Sequence, residues 1–67
     1  MEISGRNKIP GIVRSIECGD IVSKVVVEYE GGEITAIITT DAVRELRLRP
    51  GTYISALVKA TDVMIVR

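Results

Sequence analysis

The stretch Ile21-Val-Ser-Lys-Val-Val-Val-Glu-Tyr-Glu-Gly-Gly-Glu-Ile-Thr-Ala-Ile-Ile-Thr39 decides the fold class of this chain. Its first half, Ile21 to Tyr29, is rich in valine, and two-residue alternation puts Val25, Val27 and Tyr29 on one face, the period of a strand. Its second half, Ile34 to Thr39, has the same β-branched character. Between them Glu30-Gly31-Gly32-Glu33 predicts a hairpin connection, because glycine reaches the positive φ that tight hairpin turns require.

Working outward, Ile9 to Ile16 reads as an earlier strand, with Pro10 near its start where a missing amide donor is tolerated. Gly19-Asp20 turns that strand into the hairpin. Downstream the period changes, and Thr40 to Leu46 predicts a short helix with Thr40 or Asp41 as its N-cap. No Glu or Gln lies three residues beyond either candidate, so the capping box is incomplete. Pro50-Gly51 ends the segment. Tyr53 to Lys59 and Val63 to Val66 supply a fourth and a fifth strand. Five short strands with one small helix between the third and fourth predict an all-β domain over residues 1–67. The expected architecture is a small five-stranded barrel of the oligonucleotide/oligosaccharide-binding (OB) type.

Size adds a second expectation. A chain of 67 residues has difficulty burying enough apolar surface alone and needs disulfides, a metal or copies of itself. With one cysteine, Cys18, and no histidine, neither an internal disulfide nor a structural zinc site can be built. Nearly half of the residues are apolar, too many for a disordered chain. Oligomerisation is therefore expected. Nine basic residues balance nine acidic ones, so no overall field draws in nucleic acid or membrane. No apolar run is long enough for a helical membrane span and no signal peptide is evident, so the cytoplasm is the expected compartment.

Catalysis finds no support in the residue types. There is no histidine base, no Ser/His/Asp set, no Cys/His pair and no nucleophile elbow. Gly31-Gly32 is a turn and not a phosphate-cradling loop, which needs a longer glycine pattern and a following helix. An enzyme is not expected.

Two short stretches carry a different chemistry. In Ser4-Gly5-Arg6-Asn7 an extended chain places Ser4 and Arg6 on one face, with Gly5 leaving the backbone accessible between them. In Lys59-Ala60-Thr61 the same parity pairs Lys59 with Thr61, and small Ala60 leaves its amide open to close approach. Together they offer two hydroxyls, a guanidinium, an ammonium and backbone amides. That donor-rich, acceptor-poor set suits a doubly charged tetrahedral oxyanion, whose oxygens only accept. The competing reading is ordinary: Ser4 and Arg6 as a loose terminal arm, Lys59 and Thr61 as solvated residues of a strand end.

These stretches, together with the valine-rich strand, Ile38-Thr39 before the helix and Val58-Lys59-Ala60-Thr61-Asp62-Val63-Met64, resemble molbindin. Molbindin is the stand-alone form of the Mop/TOBE-type molybdate-binding domain. The resemblance runs over essentially the whole chain. It implies an OB-type barrel assembled as a homohexamer of dimers and trimers, with molybdate or tungstate held between subunits and no organic cofactor. By motif, Ser4 and Arg6 would contact the anion from one subunit and Lys59, Ala60 and Thr61 from its neighbour, with no direct bond to the metal. A second class of site near a symmetry axis is also implied, for which Thr39 is the candidate; bonding of its hydroxyl to local backbone is the competing role. The chain departs from the family in two places: Gly5 stands where Ala is common, and Asp62, where Ser is frequent, adds a negative charge. The expected function is binding of molybdate for storage, buffering or delivery. The rival expectations are an OB-type module for single-stranded nucleic acid, which normally carries a basic groove with aromatics, and a structural oligomer with a vestigial anion site. This chain has two aromatic residues, Tyr29 and Tyr53, read here as core or interface residues. Arg44, Arg47 and Arg49 are read as a solvated face compatible with the helix dipole.

Overall fold

The computed structural model describes residues 7–67, so Ser4, Gly5 and Arg6 lie outside the described residues. The described chain is all-β with one short helix. Its elements run β1 (Asn7–Cys18), β2 (Val22–Tyr29), β3 (Gly32–Thr39), α1 (Thr40–Glu45) and β4 (Tyr53–Val58), followed by a single 3-10 turn at Ala60–Asp62. The four strands form one antiparallel sheet in the order β3-β2-β1-β4.

β1 is longer at both ends than its apolar run predicts because it serves two partners in succession. Asn7 to Ile12 pair with β4, and Ile12 to Cys18 pair with β2. The changeover is bent by an irregularity in register between Val13 and Ser15, the usual device for turning a strand. Just beyond the paired part of β4, Val13 donates its amide to the Thr52 carbonyl at 2.9 Å and accepts from the Gly51 amide at 2.8 Å. At the same bend Gly11 lies so close to β2 that a Cβ there would stand 2.6 Å from the Glu28 carbonyl oxygen. Only glycine fits without a shift of one strand.

The alternation in β2 is realised: Val25 and Val27 are buried, Tyr29 is half-buried, and Lys24 and Glu28 face solvent. With Val13 and Val43 these valines form the core, and Ile16, Ile38, Leu48 and Ile54 pack against it. Ser23 continues the buried face and bonds Thr40, the first helical residue, at 2.7 Å. Thr40 Oγ1 also donates to the Gly19 carbonyl at 2.8 Å. Since that uses the single hydroxyl proton of Thr40, Ser23 must be the donor in the pair.

This buried link moves the helix cap. The expected caps were Thr40 and Asp41, but Thr40 is drawn inside and Thr39 takes the role, its Oγ1 accepting the Ala42 amide at 3.0 Å. Leu46 is the C-cap. Arg47 follows in the left-handed region with φ 53, its amide donating to Arg44 at 3.0 Å and that of Leu48 to Val43 at 3.0 Å. This is the Schellman arrangement, with an arginine where glycine is usual. The hairpin also differs in detail: Tyr29 pairs with Gly32, leaving Glu30-Gly31 as the turn, and the positive φ is taken by Gly32.

Replacing Thr40 by Val keeps the shape but orphans the Ser23 hydroxyl and the Gly19 carbonyl. The expected cost is about 1–3 kcal/mol in denaturant unfolding, with part of it recovered in the Ser23→Ala/Thr40→Val double variant, where neither hydroxyl remains. An unchanged midpoint for Thr40→Val would show that the link contributes nothing.

The expected fifth strand is the main correction. Among the described residues Val63 to Val66 pair with no strand, and neither a fifth strand nor barrel closure is found there. The 3-10 turn, closed by the Asp62 amide on the Lys59 carbonyl at 2.9 Å, diverts the chain from the line of β4. Met64, Ile65 and Val66 are then each at least 90% exposed.

Candidate functional site

The ladder between β1 and β4 decides where the candidate residues lie. Asn7, directly after the Ser4-Gly5-Arg6 motif, pairs with Val58, directly before Lys59. Asn7 and Val58, more than fifty residues apart in sequence, therefore close the same end of the same strand pair. The local reason is antiparallel pairing, which brings the start of one strand to the end of its partner.

Lys59 keeps extended backbone, φ -66 and ψ 142, before the 3-10 turn, and Ala60 and Thr61 form that turn. All three are exposed. Asp62, in the same turn, is exposed too. Beside them an open cleft of about 480 Å³ is lined by Asn7, Lys8, Ile9, Val58 and Val63. Lys8 was not among the residues singled out from the sequence. Its signal was its spacing, two residues after Arg6 in the sequence.

A cluster of ammonium, hydroxyl and amide donors at an exposed strand end can attract an oxyanion but cannot enclose one. Desolvating a dianion requires donors on several sides and walls that exclude water. Among the described residues the cleft is open.

The other concave surfaces have different chemistry. A cleft of about 710 Å³ between β1, β4 and the hairpin is lined by Tyr29 and Tyr53 but also by Glu28 and Glu30, with no cation among its lining residues. Its charge is wrong for an oxyanion and equally wrong for a nucleic acid. A third space, about 280 Å³, is the mouth of the curled sheet, lined by apolar side chains including Val25, Ala36, Ile38, Ile54 and Leu57. Among the described residues no group of His, Cys, Asp or Glu is placed to hold a metal ion. Cys18 is a free, exposed thiol at the end of β1.

Thr39 stands apart from the Lys59 end. It closes β3, and its hydroxyl oxygen is engaged in the helix cap. The local backbone bond anticipated for it is present. Arg44 is exposed and lies 3.5 Å from Asp41. Arg47 and Arg49 are exposed.

Comparison with known proteins gives a consistent picture. Residues 3–65 match the TOBE domain. The chain is 46% identical over 66 residues to molybdenum-pterin-binding protein 1 of Clostridium pasteurianum, covering 97% of both chains. The solved structure of a molybdate binding protein from Sporomusa ovata superposes with a TM-score of 0.96 at 45% identity, covering 100% of both chains. The cytoplasmic molybdate-binding protein ModG, solved with molybdate bound, matches with a TM-score of 0.85 at 43% identity, over 90% of this chain and 43% of that one. With this match over nearly its full length and the fold in agreement, the chain belongs to the TOBE domain family of molybdenum-pterin- and molybdate-binding proteins, the molbindins.

Proposed function

We propose that this protein binds the molybdate or tungstate oxyanion at interfaces between copies of itself, and so stores, buffers or delivers molybdenum in the cytoplasm. The observation that supports the reading is the pairing of Asn7 with Val58, which sets the residue after Arg6 beside the residue before Lys59 at one end of the sheet. Ser4 and Arg6 would supply donors from one subunit, and Lys59, Ala60 and Thr61 from the next. One arginine and one lysine cancel two negative charges, and charge-assisted bonds are about twice as strong as neutral ones. Binding is by hydrogen bonds and charge to an intact anion; neither a metal ligand from the protein nor an organic cofactor takes part.

The need for a second copy is supported by the unsatisfied surfaces. The mouth of the curled sheet is apolar and open, and the Val63 to Val66 segment is apolar and pairs with no strand among the described residues. Pairing of that segment with the sheet of another subunit would close the barrel with its fifth strand and bury both surfaces. It would also carry Lys59 to Thr61 into the interface. A hexamer of dimers and trimers is the assembly this reading takes. Thr39, whose hydroxyl proton is still available to a donor bond, is the candidate for a second anion position in that assembly.

Selectivity follows from the donor set. Sulfate carries the same charge as molybdate but is smaller, so fixed donors fit it poorly. Hydrogenphosphate brings an O–H that a donor-only site leaves unpaired, which is costly when buried. Isothermal titration on protein of known solution mass tests the reading. Heat with molybdate and none with sulfate, on an oligomer, is expected. Silence with molybdate and tungstate alike, on folded oligomer, would leave a molbindin scaffold without its ligand.

A further inference from the structure

We infer that Lys8 is an additional anion-binding residue of this site, a second ammonium acting beside Lys59; the inference rests on the oxyanion reading above. Lys8 stands directly opposite Leu57 in the ladder between β1 and β4. Residues two apart on extended chain share a face, and the backbone of Lys59, two beyond Leu57, is still extended. Lys59 is therefore the diagonal neighbour of Lys8 on that face, a relation that sets residues roughly 7–8 Å apart, within reach of two long side chains.

Two like charges in this relation repel each other unless something of opposite sign lies between them. Elsewhere on the sheet such cations are neutralised: Arg14 meets Glu28 at 2.9 Å and Glu33 at 3.0 Å, and Lys24 meets Glu17 at 3.5 Å. Lys8 and Lys59 form no ion pair among the described residues. Lys8 also lines the cleft beside the Lys59 turn. A dianion between the two ammonium groups removes their repulsion and receives a charge-assisted bond from each.

The role of Lys8 differs from that of a fixed donor. It is an exposed, flexible point charge, so it raises the local attraction for anions without selecting by shape. Its removal should weaken affinity and lower its salt dependence while leaving the preference for molybdate over sulfate intact.

The experiment is titration of the full-length oligomer with sodium molybdate, for the unsubstituted protein, Lys8→Gln and Lys8→Arg. It is run at about 20 mM and about 200 mM salt to separate screened from unscreened attraction. At low salt Lys8→Gln should bind roughly three- to thirtyfold more weakly, with a smaller difference at high salt, and Lys8→Arg should bind like the unsubstituted protein. Equal affinity and equal salt dependence for Lys8→Gln, at unchanged oligomer mass, would overturn the inference while leaving the site itself standing. Absence of binding by the unsubstituted protein would overturn the site and Lys8 with it.

Discussion

Lys59→Ala should lower molybdate affinity by about 2–5 kcal/mol, roughly thirtyfold to a few thousandfold, which in a titration at micromolar protein reads as loss of binding. The size follows from the physics of a desolvated dianion. Truncating one cation of a paired set removes its attraction and also leaves the remaining charge buried without compensation. Lys8 cannot replace Lys59, because one flexible ammonium cannot occupy two donor positions. The fold should be unaffected, since Lys59 is exposed and forms no ion pair among the described residues. Circular dichroism and solution mass therefore serve as controls. Unchanged affinity in a folded oligomer would remove Lys59 from the site and return it to the ordinary role of a solvated strand-end residue.

The second large effect concerns the scaffold. Gly11→Ala is expected to destabilise the protein by about 2–3 kcal/mol, the upper part of the range for overpacking. Its Cβ would lie 2.6 Å from the Glu28 carbonyl oxygen, 2.8 Å from Val27 Cγ1 and 3.3 Å from the Glu28 carbonyl carbon. Neither strand can yield cheaply. Ile12 pairs with Glu28 on one side and Tyr53 on the other, so moving β1 disturbs both ladders, and Val27 belongs to the core. In thermal unfolding at fixed protein concentration the midpoint should fall by roughly 8–24 °C, at 4–8 °C per kcal/mol for a domain of this size. Gly31→Ala is the matched comparison. Its Cβ would meet the Tyr29 ring at 2.7 Å, and an aromatic ring at a hairpin end can rotate away. Equal losses in the two variants would show that the close approach at Gly11 is not what demands glycine.

Gly11 also shows why the bend has to be where it is. β1 must leave β2 and take up β4 within a few residues, and the irregular register at Val13/Ser15 and the side-chain-free position at Gly11 flank that changeover. The same changeover lets the start of β1 pair with the end of β4, Asn7 beside Val58.

The sequence by itself determined the elements whose signals are local. The alternation of Val25 and Val27 is a statement about neighbours on one strand, and it holds because period two is set by backbone geometry alone. The hairpin, the short helix between the third and fourth strands, and the stop at Pro50-Gly51 are equally local. So are the two donor motifs that carry the family resemblance, because recognition of an oxyanion needs particular side chains at short spacing. Other features required the tertiary structure, since they depend on residues far apart in the chain. Thr39 caps the helix because Ser23 and Gly19 hold Thr40 inside, which no window around Thr40 reveals. The adjacency of Lys8 to Lys59 depends on the register of β1 with β4. Val63 to Val66 has the composition of a strand, yet a strand exists only where its backbone groups find a partner edge. Among the described residues the segment follows the turn at Ala60–Asp62 and pairs with neither free edge of the sheet, β3 or β4. Composition decides what a segment can become, and long-range pairing decides whether it does.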